Sequence, residues 1–497
     1  MTDKRPILKI IQDGFSALVE AFFLPAQGRV FAWFDRLWSA ALYLLGLLHW
    51  CYFLNWGNIP FDLHDWLDTG AYFSFLRQAA LTNQLPLHIG SALSTTDRYL
   101  ARPDTLISPQ AYLLRFLELG PFTLVNVLIL YSVGFVALLL LKKRYSLAPA
   151  AFTALFALFN FNGHITAHYA VGHSEWIGYF FLPFFVLLIL KALEGERPGW
   201  RWVLLVSLTL FAITLQGAFH IFLWCLIFLL AWGVFSPKYL VPVLEAIAFS
   251  LLLSLFRLLP PAVEFIGGGK GFISGFPTVT DMFAALVVLK YPAEALSGPF
   301  KSLGWWEVDT YVGLIGLAFL VYFGVYRTWR PGLAARTGKQ SPVRALLAPI
   351  AVLTFLSIGK IYILINHLPI PLSDSERVSS RFFILPVVAL IILAAFNLQE
   401  FLTERGRRSL AERILSLGLL ILMGHDLLQH SRIWRVTNMY KLFSSTPADI
   451  QSSVINHPDP VYVTALVAGA AGTLLTLTIL LILSLREQRQ VKRHLEK

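Results

Sequence analysis

The chain has 497 residues, of which 57% are hydrophobic and only 14% charged, with a mean hydropathy of +0.65. This composition lies far outside the soluble range, and repeated apolar stretches near bilayer length point to a polytopic membrane protein. The net charge of +11 sits in short basic clusters between apolar runs, as cytoplasmic loops require, which argues against a nucleic-acid partner. Both cysteines, Cys51 and Cys225, fall inside apolar runs and offer neither a disulfide framework nor a metal site.

Residues 1–36 lack the compact apolar core and small-residue cleavage site of a signal peptide. Ile7, Ile10, Ile11, Phe15, Leu18, Val19 and Phe22 recur there at helical spacing, so the segment is read as an amphipathic helix on the cytoplasmic membrane surface. From residue 37 to 485 the apolar runs are expected to supply about twelve spans. They are placed at 37–56, 122–141, 147–161, 176–193, 202–216, 218–235, 239–257, 310–327, 346–364, 382–402, 413–429 and 461–485. Alternate connections hold Lys142–Lys143–Arg144, Arg197 with Arg201, Lys238, the basic residues from Arg327 to Arg344, and Arg405 to Arg408; the tail, 486–497, is basic as well. Both termini are therefore expected in the cytoplasm. The long loops 57–121, 258–309 and 430–460, with shorter ones at 162–175 and 365–381, then face the other side, and long ordered loops more often carry function than not. The expected architecture is all-α: one polytopic transmembrane domain with loop elaborations.

The first outer loop opens on N-I-P-F-D-L-H-D-W-L-D, residues 58–68, with Asp62, His64, Asp65 and Asp68 gathered in seven residues just after a membrane exit. Carboxylates beside hydrocarbon are costly to desolvate and usually mark a working polar cavity. Asp65 or Asp62 can serve as a general base on an acceptor hydroxyl. Helix capping is the alternative, by Asp62 for a turn from Leu63 and by Asp68 for a helix near Gly70. Two short amphipathic segments in this loop, around Tyr72–Ala79 and at 111–119, are expected to lie along the interface as a roof.

Three further stretches carry candidate chemistry. In N-F-N-G-H-I-T-A-H-Y-A-V-G-H-S-E-W, residues 160–176, His164, His168, His173 and Glu175 suit polar recognition of a sugar or phosphate, with Trp176 as a stacking platform. The i, i+4 spacing of His164 and His168, with Glu175, also leaves a divalent metal open, without the sequence context of an established metal motif. In S-D-S-E-R-V-S-S-R-F-F, residues 373–383, Arg377 and Arg381 are four apart and can fork onto a phosphate. In the loop 258–309, glycines 267–269 suggest a mobile lid, Lys270 a phosphate contact and Glu307 of W-W-E-V-D-T-Y-V-G a substrate contact, while Trp305, Trp306 and Tyr311 suit an interfacial aromatic belt.

An acidic motif in the first outer loop, F-D-L-H-D-W, two candidate interface helices, many spans and a long later outer loop together resemble the GT-C superfamily of integral membrane glycosyltransferases. The stretches F-N-G-H-I-T-A-H-Y-A-V-G-H-S-E-W-I-G-Y-F-F-L-P-F, W-W-E-V-D-T-Y-V-G-L-I-G-L and R-V-S-S-R-F are similar to segments of bacterial YfhO-like membrane proteins. The resemblance implies sugar transfer from a polyprenyl-phosphate carrier to a glycan, lipid or protein acceptor on the outer face of a bacterial or archaeal plasma membrane. It further implies that Asp65 or Asp62 acts as catalytic base and that Arg377 or Arg381 meets the carrier phosphate. The chain departs from the pattern in lacking an adjacent acidic pair and a soluble carboxy-terminal domain. A transporter or flippase of a lipid-linked or polyanionic substrate is the alternative; it looks to charged or polar groups at membrane depth, here Gln216, His220, Glu245, Arg257 and Asp426.

Overall fold

The computed structural model describes residues 14, 17–25, 28–195, 198–264, 274–290, 303–330, 342–366, 376–404, 410–441, 443–445 and 448–495. The chain is mostly helical, and the apolar helices make it a membrane-embedded protein. Among the described residues, four segments are long and apolar enough to cross a bilayer: Leu119–Arg144, Ser174–Glu194, Ser379–Thr403 and Pro460–Arg493. A bent pair, Pro237–Leu253 with Leu255–Glu264, makes a fifth if its two arms count as one span.

Helix α1 (Gly28–Phe53) leads through a tight turn into α2 (Trp66–Thr82). Two glycines let that turn close: Gly57 has φ +85, and a Cβ on Gly120 would collide with the Gly57 carbonyl. α2 starts earlier than the amphipathic pattern suggests, and Asp68 lies inside its first turn rather than capping a helix near Gly70. The segment expected as a helix at 111–119 is a short 3₁₀ turn, Pro109–Arg115, after which the chain enters α3 (Leu119–Arg144). Lys142, Lys143 and Arg144 in the last turn of α3 complement its dipole.

The next expected span, 147–161, is realised as α4 (Pro149–Asn160), only twelve residues long. At 1.5 Å per residue it reaches roughly 18 Å, well short of the hydrocarbon thickness. Asn162 caps the following helix, α5 (Gly163–Val171), by accepting from the Ile165 amide. A 3₁₀ segment, Ser174–Phe181, then runs into α6 (Leu182–Glu194). Helices α7 (Trp200–Leu215) and α8 (Phe219–Phe235) meet at a sharp turn, where Gly217 has φ +80.

Three expected spans are interrupted, each with a local cause. α9 (Leu240–Leu253) and α10 (Leu255–Glu264) bend by 70°. At the bend the buried Arg257 donates to the carbonyls of Thr214, Arg102, Pro103 and Thr105, at 2.9 to 3.4 Å. After α11 (Val279–Val287) comes α12 (Gly313–Phe319), which widens into a π-helical turn over Leu320–Tyr326. The side-chain amide of Asn397 donates to the Phe323 carbonyl at 2.6 Å. Finally, α13 (Leu347–Leu356) and α14 (Gly359–Asn366) are separated at Ser357–Ile358. There the extended strand 274–276 bridges Ile358 on one side and Val378 on the other.

The chain continues through α15 (Ile384–Glu404) and α16 (Leu410–Ile433) to α17 (Pro460–Leu495). Within the described residues, the one two-stranded ladder joins the first outer loop to the segment ahead of α17. Strand β1 (Ile89–Gly90) runs antiparallel to β2 (Ser453–Val454), with Ile89 opposite Val454. Of the amino-terminal segment, residues 17–23 are helical, and Val19, Phe22 and Phe23 pack against Ala150 and Leu402.

Arg257 offers a direct test of the bend. Arg257→Met strips donors from buried carbonyls, and each such loss costs about 1–3 kcal/mol. The melting temperature of the purified variant should fall by several degrees, and an unchanged value would show that the bend does not depend on this side chain.

Candidate functional site

The site begins where two backbones touch. Gly172 ends α5 with φ +100, and a Cβ at this position would overlap the backbone nitrogen of Trp66. Only glycine satisfies both the left-handed conformation and the close approach. Three hydrogen bonds lock the contact: Asp65 N–H to the Val171 carbonyl (3.2 Å), Trp66 Nε1 to Ala170 (3.1 Å) and Thr69 Oγ1 to Gly172 (2.9 Å). The first outer loop and the histidine-rich segment are thus fixed against each other.

Asp65 occupies the N-cap position of α2, yet its side chain does not cap the helix. Its Oδ2 instead accepts a short hydrogen bond from His173 Nε2, and His64 Nδ1 lies 3.3 Å from the same oxygen. Both imidazoles approach Oδ2, so the second carboxylate oxygen is left for an incoming group. The side chain is 45% exposed, whereas that of His173 is 8% exposed. Burial alone would push the Asp65 carboxyl up, but the charge and hydrogen bond of His173, with a smaller contribution from His64, hold it well below the usual carboxylate range. Burial likewise opposes protonation of His173, and Asp65 overcomes it, raising His173 to about 9. Protonated at neutral pH, His173 donates from Nε2 to Asp65 and from Nδ1 to His168 Nδ1 at 2.7 Å. His168 is fully buried, and burial, reinforced by neighbouring cationic groups, lowers it well below the ordinary histidine value, so it accepts as a neutral ring.

Beneath this relay, Trp176 is 2% exposed and stacks on His168 and Trp224, with ring centroids 4.5 and 5.2 Å apart. The Arg381 guanidinium lies over the same ring at 5.1 Å. The ring expected as a sugar platform is therefore occupied within the protein. His164, 2% exposed, stands edge-on to His168 and Trp176, and it does not share a ligand position with His168 and Glu175. Glu175 sits close enough to His173, Asp104 and Asp65 to feel their charges.

Arg381 forks onto Glu307 through Nε (2.7 Å) and Nη2 (2.9 Å), and its Nη1 lies 3.8 Å from Glu376. Two carboxylates thus neutralise the guanidinium. Glu376 is wholly buried; it accepts from the Val378 amide (3.0 Å) and Trp224 Nε1 (3.1 Å), and lies 2.9 Å from His220 Nδ1. The extended segment 274–276 holds this turn, with Ser379 N–H donating to the Ser274 carbonyl at 2.8 Å. Arg377 is exposed, and its carbonyl accepts from Ser274 N–H at 2.7 Å.

The motif W-W-E-V-D-T-Y-V-G is interior rather than a lipid-facing belt. Trp305 and Tyr311 are 3% exposed, Glu307 meets Arg381, Asp309 pairs with His430 at 2.9 Å, and Tyr311 Oη donates to Asp426 at 2.8 Å. Trp306 stands edge-on to His64 at 4.7 Å, and Phe443 packs against both rings. Asp62 is set apart from this cluster and accepts from Ser445 Oγ at 2.5 Å. Lys270 lies outside the described residues, as do glycines 267–269.

Asp65, His64, His173, His168, His164, Trp176, Arg381 and Glu307 thus converge from four separate stretches of sequence. Glu376 stands where the sequence allows Asp374 and Glu376 to neutralise the two arginines, whereas Trp224 and Asp104 were not singled out. The R-P-D at 102–104 was the available signal, since an arginine and an aspartate flank a proline in the acidic first loop. Among the described residues, a carboxylate oxygen of Asp65 and one nitrogen each of His64 and His173 lie within 4.8 Å of one another, but protonated His173 carries a proton on both ring nitrogens, so the set is an ion pair and not a metal site. No protein-family model matches this chain, and no curated protein matches it either.

Two outcomes follow from this geometry. Gly172→Ala should separate the 65–66 turn from α5 and lower the melting temperature by several degrees; retention of wild-type stability would mean the contact tolerates a side chain. Because the pKa of His173 is raised, the stability it supplies is fully present below about pH 6.5 and is lost as pH rises through its folded value. The wild type should exceed His173→Gln by about 1–3 kcal/mol near neutral pH, less than a fully buried pair since Asp65 is partly exposed. That gap should close above pH 9 in thermal melts; a gap independent of pH would rule out the protonated pair.

Proposed function

We propose that the chain is an integral membrane glycosyltransferase of the GT-C type, which moves a sugar from a polyprenyl-phosphate carrier to a hydroxyl of a glycan, lipid or protein acceptor, with inversion. In this reading about twelve segments cross or enter the membrane, several as broken helices, and both termini are cytoplasmic. α2 and the 109–115 turn lie along the outer interface above the site.

The observation that carries the reading is Asp65: an ionised, half-exposed carboxylate hydrogen-bonded by His173 through one oxygen, with His64 3.3 Å from the same oxygen and the other oxygen available. The acceptor hydroxyl hydrogen-bonds to that second oxygen. As its oxygen bonds to the anomeric carbon, its proton passes to the carboxylate, the bond from the anomeric carbon to the phosphate oxygen breaks, and the lipid phosphate departs with the electron pair. His173 keeps the carboxylate aimed, and His168 fixes His173 from behind. The leaving group is good, so the protein contributes mainly positioning and electrostatics.

Arg381 is held between Glu307 and Glu376, and Arg377, exposed in the same segment, is assigned to the carrier phosphate.

The transporter reading draws on the 70° bend between α9 and α10 with buried Arg257 at its centre. Arg257 is, however, held through Nε and Nη2 by four backbone carbonyls, which suits a fixed joint more than a moving ion site.

In reconstituted vesicles given a panel of polyprenyl-phosphate sugars, Asp65→Asn should cut transfer at least a hundredfold, while Asp62→Asn stays within about twofold of wild type, as loss of a general base typically costs 10²–10⁴. Wild-type transfer by a correctly inserted Asp65→Asn protein would overturn the assignment. Gradient-dependent flux without transfer would establish the transporter instead.

A further inference from the structure

A second cluster of histidine and carboxylate groups lies away from the Asp65 site, where the first outer loop meets the segment ahead of α17. His88 directly precedes β1 and sits between two partners. It bridges Arg98 on one side, and on the other its N–H donates to Asn456 Oδ1 (3.0 Å) and its carbonyl accepts from Ile455 N–H (3.1 Å). The backbone is therefore fixed before any side chain is considered. The His88 ring is wholly buried and stacks on His457 with centroids 4.1 Å apart. Its Nδ1 is buried without a hydrogen-bond partner, and its Nε2 lies 3.5 Å from Asp459 Oδ2. His457 Nε2 in turn lies 2.7 Å from Asp97 Oδ2.

The two carboxylates of this cluster differ. Asp459 is satisfied by Arg98, which donates to it through Nε (2.7 Å) and Nη2 (3.1 Å). Among the described residues, the Asp97 carboxylate meets the imidazole of His457 alone. One nitrogen of His88, one of His457 and an oxygen of Asp97 lie within 4.8 Å of one another.

We propose that His88, Asp97 and His457 form a zinc site that clamps the first outer loop to the 453–459 segment. Two imidazoles and one carboxylate match the borderline-soft donor set that zinc takes, with water completing a tetrahedron, whereas calcium and magnesium call for oxygen ligands alone. The preformed backbone means that binding requires only small side-chain shifts, drawing the ligand atoms from within 4.8 Å to the ~3.4 Å separation that tetrahedral zinc imposes. The buried, unpartnered nitrogen of His88 shows that a ligand-capable group has been taken out of water without a protein partner. The clamp closes a loop of several hundred residues, so occupancy stabilises the outer face. This inference stands independently of the sugar-transfer reading.

The test uses the full chain in detergent, with a purification tag free of histidine, stripped with chelator and then supplied with zinc chloride or magnesium chloride. Metal content is read by mass spectrometry and stability by thermal melt. Wild type should retain one zinc per chain and melt several degrees higher with zinc than with magnesium. His457→Gln and Asp97→Asn, both at positions close to half exposed, should fold, lose that zinc and lose the shift. His173→Gln should keep both, because its ring belongs to the other cluster. The proposal is overturned if wild type binds no zinc, if zinc survives in the His457→Gln, Asp97→Asn double variant, or if His173→Gln alone removes it.

Discussion

A partly buried carboxylate survives in its charged form only if something nearby repays the lost hydration, and the pairing of Asp65 with His173 is where this protein meets that requirement. The segments around it are arranged to make the pair possible. Gly172 allows the two backbones to approach, α5 presents His168 and His173 from a single helical end, and Trp176 packs against the rings from below. The same solution recurs in Arg381 between Glu307 and Glu376, and in Asp309 with His430. Acid and base alternate through the interior, so no single charge stands alone in these contacts.

Part of this was legible in the sequence. Apolar runs marked nearly every helix, because burying backbone in lipid or in protein demands the same hydrogen-bonded helix. The candidate residues Asp65, His173, Arg381 and Glu307 were visible as charged or titratable groups in loops where hydrocarbon was expected to begin. Their mutual partnership was not visible, because each comes from a different stretch and pattern analysis carries no information on which loops meet. That Trp176 and Tyr311 would be buried was likewise hidden. An aromatic residue next to a span reads equally as a surface anchor or as packing, and only the neighbours decide.

Helix length was the other blind spot. The stretches 239–257 and 346–364 read as continuous spans from composition, yet one bends at Arg257 and the other parts at Ser357. The causes lie outside the stretches themselves: carbonyls of residues 102–105 gather around Arg257, and strand 274–276 takes the Ser357 carbonyl and the Gly359 amide. A window of apolar residues registers what a helix buries and not what pulls it apart.

The first outer loop is completed by the end of the chain. Ser445 reaches Asp62, β2 pairs with β1, and Arg98 binds Asp459 across 361 residues of sequence. During synthesis the amino-terminal half emerges first and waits, with Asp62, Arg98 and the edge of β1 lacking these partners, until residues 445–459 have been made. Long-range closure of this kind is slow, and unpaired edges invite wrong partners in the interval. Biogenesis of this protein therefore has a late commitment point: the loop that carries Asp65 is sealed only by a segment made several hundred residues after it.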